Sequence, residues 1–314
     1  MIVTLTANPS LDRTILLEYP LEPGAVQTAA SQREDAGGKG INVARVVAAA
    51  GVESTAVLPL AQDDPFDAVL RRTGVPARRV VVGGRARSNV TITDPAGITT
   101  KLNLPGATLA SDEAAAVVDA VVSASEGARW LALAGSLPPG VGDAFYVEVI
   151  RAVRAAHGDA APRVAVDTSG PALRAVVDHA TPDLIKPNDE ELAELAGVDL
   201  ADGDLVDAVI TIARRIVPSK VRAALITLGP AGAVLVDADG AWVGTPPRIR
   251  VASTVGAGDS SLAGFLLAET EGAPPDERLR QAIRYGAAAA SLPGTQAPRP
   301  ADLPRGDGRI ARLA

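Results

Sequence analysis

The sequence contains no cysteine, and that absence removes disulfide scaffolds, thiolate nucleophiles, zinc fingers and iron–sulfur clusters from consideration. Histidine is almost as scarce. Two residues, His157 and His179, cannot build a histidine-rich metal site and leave little room for imidazole chemistry. His157 lies in the polar run His157-Gly158-Asp159, read as a loop after a helix, and His179 near another helix end; both read as surface residues. Aromatics make up 3% of a chain that is 47% hydrophobic, so the core must be assembled from Ala, Val, Leu and Ile. Such small aliphatic residues suit helices packed closely on a parallel sheet. No run of about 18 apolar residues occurs, so no membrane span is expected. The opening residues Met1–Thr6 have no basic segment and no long apolar stretch; they read as a strand and not as a signal peptide. A soluble, cytoplasmic protein is the expectation.

Positive charge is in deficit: 30 Lys and Arg stand against 37 Asp and Glu, a net −7. That balance argues against a nucleic-acid or anionic-membrane surface, while leaving room for a local cationic pocket. The 314 residues carry no internal repeat, low-complexity linker or clean boundary, so a single domain over 1–314 is expected.

Short β-branched runs alternate with Ala/Leu-rich amphipathic stretches. Strands are predicted at Ile2–Thr6, Thr55–Leu58, Trp130–Ala134, Val164–Val166, Ala224–Thr227 and Ala233–Val236. Helices are predicted at Ile41–Ala50, Asp112–Ser125, Asp143–Ala156, Glu190–Ala196, Leu205–Val217, Ala257–Glu271 and Asp276–Leu292, with Ser111 capping the second. The alternation implies a mainly parallel sheet covered by helices on both faces. Two regions break the rhythm. Arg13–Glu18 with Val26–Glu34, and Ser88–Thr93 with Ile98–Leu102, read as strand pairs without a helix between them, the second closed by the turn Asp94-Pro95-Ala96-Gly97. A small separate sheet is expected from segments at about 13–34 and 87–105, either as a lid over a site or as a structural flap. The Pro/Arg-rich tail Pro298–Ala314 reads as loosely packed.

Chemistry concentrates in a few loops. Ser253-Thr254-Val255-Gly256-Ala257-Gly258-Asp259 leads into an apolar helix, where free backbone N–H groups and the helix dipole form an anion site. An aspartate there repels phosphate, but it suits a base that takes a proton from a hydroxyl attacking that phosphate. The bland reading is a glycine turn with Asp259 capping the helix. Lys186-Pro187-Asn188-Asp189-Glu190-Glu191 puts Asn188 and Glu191 on one helical face, as water-mediated Mg²⁺ binding would want. A capped acidic helix start explains the same spacing equally well. Gly37-Gly38-Lys39-Gly40-Ile41-Asn42 brings glycines, a cation and an amide to another helix start, yet it is neither a Walker A loop nor a Gly-x-Gly-x-x-Gly fingerprint, which disfavours a nicotinamide oxidoreductase. Asn8–Asp12, Gly135–Gly140 and Thr227–Gly232 also follow strands, and ligands of open α/β sheets bind at such ends.

Taken in order, these segments resemble the ribokinase-like (PfkB) family of sugar kinases over nearly the whole chain. Gly37–Ala44 is similar to that family's first glycine signature, Thr254–Asp259 to its second, Lys186–Glu191 to its Asn-x-x-Glu magnesium element and Thr227–Gly232 to its nucleotide turn. Asn8–Asp12, Lys39, Arg87-Ser88-Asn89, Thr100–Asn103 and Gly135–Gly140 resemble the 1-phosphofructokinase branch. Ser253, Ala61-Gln62 and Leu104 depart from the usual pattern and bear on the substrate. The resemblance implies a three-layer α/β/α fold with a small β-sheet lid, acting as an ATP-dependent kinase of fructose 1-phosphate. Tagatose 6-phosphate or fructose 6-phosphate kinases are the near alternatives; a non-catalytic sugar-phosphate or nucleotide sensor is the distant one. It further implies Asp259 as base, with Gly256, Ala257 and Gly258 stabilising the transferred phosphoryl. Asp12, Gly38, Lys39, Asn42, Arg87, Asn103 and Ser136 would bind the sugar phosphate, Lys39 and Arg87 supplying its counter-charge. Lys186, Asn188, Thr227, Gly229 and Gly232 would hold ATP, Asn188 and Glu191 would hold Mg²⁺ through water, and a homodimer would form through the lid.

Overall fold

The computed structural model describes residues 1–200, 204–306 and 308–313. The first part of the chain runs β1 (Ile2–Leu5), β2 (Ser10–Leu17), β3 (Ala29–Gly37), α1 (Lys39–Ala49), β4 (Ser54–Leu60), α2 (Pro65–Arg72), β5 (Ala77–Val81), β6 (Arg87–Thr93) and β7 (Thr99–Asn103). It continues with α3 (Ser111–Ala124), β8 (Trp130–Ala134), α4 (Phe145–His157), β9 (Arg163–Asp167), α5 (Gly170–His179), β10 (Leu184–Ile185), α6 (Asp189–Ala196) and α7 (Leu205–Ala213). Last come β11 (Ala223–Thr227), β12 (Ala233–Asp237), β13 (Gly240–Gly244), α8 (Ala257–Thr270), α9 (Pro275–Ser291) and β14 (Ile310–Leu313).

The main sheet has the order β14-β13-β12-β11-β10-β9-β8-β1-β4-β5. Its seven strands from β11 to β5 are parallel, and β12, β13 and β14 add an antiparallel end. Because side chains alternate along a strand, β1 feeds two cores. Val3 and Leu5 join Val117, Val121, Ile150, Val153 and Val176 of α3, α4 and α5. Ile2 turns the other way to join Val43 and Val47 of α1 and Leu262, Leu266 and Leu279 of α8 and α9. This three-layer arrangement is the ribokinase-like α/β fold expected, and the aliphatic composition fills both layers.

The strand pairs without helices form their own sheet, β3-β2-β6-β7, in which β2 runs parallel to β6 and the outer pairs are antiparallel. Its hairpin turn closes through Asp94, whose Oδ1 accepts from the N–H of Ala96 and of Ile98, 2.9 Å each.

Several expectations need correction. Residues 310–313 of the tail are not loose: they pair with β13 as the sheet's edge strand, and Arg312 lies over the Trp242 ring. Ser111 is the first helical residue of α3 and not its cap; Ala110 holds the cap position and Glu113 accepts from its N–H at 2.8 Å. His157 ends α4 half-buried, with Nε2 2.9 Å from the Val122 carbonyl. The helix predicted to reach Val217 ends at Ala213. α2, α5, β5, β13 and β14 were not predicted. α2 and α5 open on Asp64-Pro65 and Gly170-Pro171, and Pro suits a first helical turn.

Candidate active site

The carboxyl ends of β1, β8, β9, β10 and β11 share one edge of the main sheet. The chain proceeds from β1 outward to β4 and β5, then returns to β8 on the opposite side of β1. Open α/β sheets bind ligands at such a reversal of strand order. Asn8, just past β1, binds across it: Nδ2 donates to the carbonyls of Pro105 (3.2 Å) and Leu137 (3.3 Å) and lies 3.4 Å from Ser136 Oγ. One amide thereby ties the end of the small sheet to the loop after β8.

α8 starts at this edge. Gly256 precedes it with φ +77°, and Gly258 and Asp259 fall in its first turn, where backbone N–H groups have no partner within the helix. The helix is buried from Asp259 to Glu269, which explains its near-uniform lack of charge. Asp259 Oδ2 accepts from Asn42 Nδ2 at 2.8 Å, while Oδ1 makes no hydrogen bond among the described residues. Burial, reinforced by the negative charge of Asp167, pushes the Asp259 carboxyl up to about 6. Asn42 therefore orients the carboxylate, a part the sequence did not reveal.

Asp167, at the end of β9, was missed altogether. It is 0% exposed, and Lys39 Nζ donates to its Oδ1 at 2.8 Å; Lys186 Nζ lies 3.1 Å from Oδ2, off the hydrogen-bonding direction. Burial alone would raise the Asp167 carboxyl, but Lys186 and Lys39 outweigh it and hold it below the usual range. Burial likewise pulls Lys39 down, and the Asp167 carboxylate, helped by Asp259 and Glu191, reverses this and raises it. A lone Asp ending a strand gives no signal in sequence, because its partners lie 128 residues upstream and on the next strand's exit. Lys186 also reaches α8: a Cβ on Gly258 would stand 3.2 Å from its Nζ.

A second cluster occupies the small sheet. Register places Asp12 beside Asn89, and Asn89 beside Asn103, along one face; Lys101 shares it. Asp12 Oδ1 accepts from Ser10 Oγ at 2.8 Å and Asn89 Nδ2 at 2.9 Å, and burial raises its carboxyl despite these bonds and the nearby Arg87. A Cβ on Gly37 would stand 2.0 Å from Asp12 Oδ2, so a larger residue there would displace that carboxylate. Arg87 Nη1 reaches the Leu104 carbonyl at 3.4 Å, and its Nε is buried without a partner among the described residues. Asp64 fixes the approach to Arg87 by accepting from the N–H of Ala86 at 2.7 Å. Lys39 thus pairs with Asp167, and Arg87 lies near enough to Asp12 for their charges to act on each other.

Asn188 and Glu191 cap α6 reciprocally. Asn188 Oδ1 accepts from the Glu191 N–H at 2.7 Å, and Glu191 Oε2 accepts from the Asn188 N–H at 2.9 Å. The capping reading is therefore realised, with Glu191 Oε1 uncommitted among the described residues. Asn188 bridges Thr227, and Gly229 opens a short 3₁₀ turn that Gly232 closes, so these residues adjoin one another. Gly38, at φ +126°, caps α1 above Thr6.

Known proteins resemble this chain over nearly its whole length. The 1-phosphofructokinase of Rhodobacter capsulatus is 36% identical over 310 residues, covering 96% of this chain and 94% of its own. ATP-dependent 6-phosphofructokinase isozyme 2 of Escherichia coli K12 is 34% identical over 299 residues, 94% of each chain. The crystal structure of E. coli phosphofructokinase-2 in complex with potassium superposes with a TM-score of 0.87 at 33% identity, covering 96% of both chains. The model of the pfkB family carbohydrate kinases matches residues 6–302, and the chain belongs to that family.

Proposed function

We propose that the protein transfers the γ-phosphoryl group of ATP to the C6 hydroxyl of fructose 1-phosphate, giving fructose 1,6-bisphosphate and ADP. The observation that carries this reading is Asp259: buried, oriented by Asn42, raised to about 6, with one oxygen uncommitted at the start of α8. Such a carboxylate is ionised at neutral pH yet basic enough to accept a proton. In the transfer the hydroxyl oxygen bonds to the γ-phosphorus as its proton passes to Asp259. The bond to the β,γ-bridging oxygen breaks, and its electron pair leaves with ADP. The N–H groups of Gly256, Ala257 and Gly258 serve the developing charge.

Asp12, Asn89 and Asn103 present hydroxyl-binding groups in one row, with Gly38, Asn42 and Ser136 at its margin, and Arg87 meets the sugar's own phosphate. Thr227, Gly229 and Gly232 line the nucleotide side, with Lys186 toward its phosphates. Among the described residues no three carboxylate, histidine or cysteine side chains gather to hold a metal. Asn188 and the free Oε1 of Glu191 fit Mg²⁺ held chiefly by phosphates and water. When bound, Mg²⁺ supplies charge neutralisation on the phosphates. The small sheet, tied at Asn8, is a lid that excludes water. Leu16 (44% exposed), Tyr19 (68%), Ile98 (69%) and Leu102 (54%) lie on that sheet and its turns, which favours a homodimer formed there.

Fructose 6-phosphate is the second substrate reading, favoured by the 34% identity to the E. coli isozyme. The deciding experiment compares kcat/KM for fructose 1-phosphate, fructose 6-phosphate and tagatose 6-phosphate. At least a tenfold preference for the first is expected; preference for either of the others replaces the substrate. Absence of ADP formation with all three would point to a sensor.

A further inference from the structure

We propose that the amino edge of the main sheet carries a second ligand site, away from the catalytic edge, where Arg163 and Arg222 bind a phosphate-bearing anion. The inference does not depend on the kinase reading.

Three neighbouring parallel strands begin on charged residues. Arg163 opens β9, Asp183 directly precedes β10 and Arg222 directly precedes β11. The register sets Leu184 beside Ala165 and Ala223, which places Asp183 between Val164 and Arg222. Asp167, Lys186 and Thr227 lie at the other ends of the same strands. A cavity of about 410 Å³ opens at this amino edge, and Arg154, Arg163, Thr181, Asp183 and Arg222 help to line it. Its charged lining is three guanidiniums and one carboxylate, a surplus of two positive charges in a chain of net −7. An adjoining cavity of about 350 Å³ shares Arg163, Asp183 and Arg222 but adds Asp237, Asp239 and Glu269 against Arg278. That side repels an anion, so the anion site is confined to the first cavity.

Both arginines are anchored through part of the guanidinium only. Arg163 Nη1 donates to Glu269, a buried carboxylate that also accepts from Trp130 Nε1 at 2.7 Å, and the guanidinium carbon lies 5.9 Å from the Trp130 ring centroid. Arg222 Nε lies 3.3 Å from Asp183 Oδ1, whose partner oxygen Oδ2 accepts from the Val164 N–H at 2.9 Å. Each guanidinium carries five N–H donors in a fixed plane. Nε and Nη2 of Arg163 and both Nη of Arg222 therefore remain uncommitted among the described residues, and these side chains are 58% and 76% exposed. Two forks with free donors suit the oxygens of a phosphate group. Neutralising Asp183 is a poor alternative account of Arg222, because a solvent-exposed pair contributes little. The cavity wall is also strained. Thr181 is the one non-glycine residue with positive φ among the described residues, at +44°, a conformation a β-branched side chain disfavours. Arg154 holds that turn by donating from Nη1 to the Ala180 carbonyl and from Nη2 to that of Thr181. A strained turn clamped at a cationic cavity is what a built binding site needs.

The test measures calorimetric binding and thermal melting with inorganic phosphate and with glycerol 3-phosphate, each against chloride of equal ionic strength. The parent is expected to bind at least one of them and to melt higher in its presence. The tighter of the two names the source, free phosphate or a phosphomonoester. Arg222→Ala leaves Arg163 with Glu269 and should raise Kd at least about tenfold, the usual effect of losing a hydrogen bond to a charged group. Without ligand it should melt as the parent does. Arg87→Met, on the other sheet, should leave this binding unchanged. Binding that Arg87→Met abolishes and Arg222→Ala spares belongs to the catalytic edge and overturns the proposal. So does a parent that binds neither anion, or that responds to chloride as strongly. Should Arg222→Ala melt well below the parent, Arg222→Lys, which keeps the charge and removes the fork, supplies the same comparison.

Discussion

Asp259, the proposed base, sets chemistry against stability in one residue. Its folded titration lies near 6, above its unfolded value, so the folded chain binds more protons between about pH 4 and 6. The stabilisation this gives is complete below the unfolded value and is lost as pH rises through 6. Activity has the opposite slope, because only the ionised carboxylate accepts a proton: kcat/KM should climb about tenfold per unit below pH 6 and level off above it. Asp259→Asn should lower kcat roughly 10²–10⁴-fold and, at pH 8, melt no lower than the parent. A variant that keeps parental turnover would remove Asp259 from the mechanism; one that melts much lower would mean the buried charge is stabilising. At this scale the sequence was informative where glycines and an aspartate sit together, as in Gly256–Asp259. It was silent about Asp167 and gave Asn89 only as part of a motif, because the significance of both lies in what the fold brings to them. Asn42 and Lys39 were visible as polar residues at a helix start, but their partners, Asp259 and Asp167, emerge only in three dimensions.

At the scale of elements, periodicity located the buried strands and long helices, because their patterns are set by burial. It failed where burial is partial. β5 carries Arg78 and Arg79 on exposed positions, and β14 alternates around Arg312, so neither presents an apolar run. Helix-on-helix contact gives a sharper test. α8 and α9 approach so closely that a Cβ on Gly264 would stand 2.5 Å from the Gln281 carbonyl and 2.8 Å from the Tyr285 ring. Gly264→Ala improves helix propensity, yet here it should destabilise the protein by about 1–3 kcal/mol, because overpacking outweighs propensity. Chemical denaturation measures this directly; a neutral or stabilising result would show that the α8–α9 contact yields.

On the scale of the whole molecule, the alternation of strands and helices made the three-layer body legible, and the unaccompanied strand pairs made the second sheet legible. The fate of the tail was not, since an Arg-rich edge strand looks like a disordered end. The second sheet also bears on assembly. Ile98→Asp combined with Leu102→Lys should shift sedimentation from dimer to monomer while the melting of the main body changes little. A parent that already sediments as a monomer would end the dimer proposal. Finally, the overall charge of −7 hides a balanced centre: Lys39 and Lys186 offset Asp167 and Asp259 one for one while the base is ionised. Accepting the hydroxyl proton leaves that quartet one unit positive just as two anionic products form beside it. Its grip relaxes only when the proton departs to water. In the proposed reaction, deprotonation of the base is therefore expected to precede the escape of the bisphosphate and ADP.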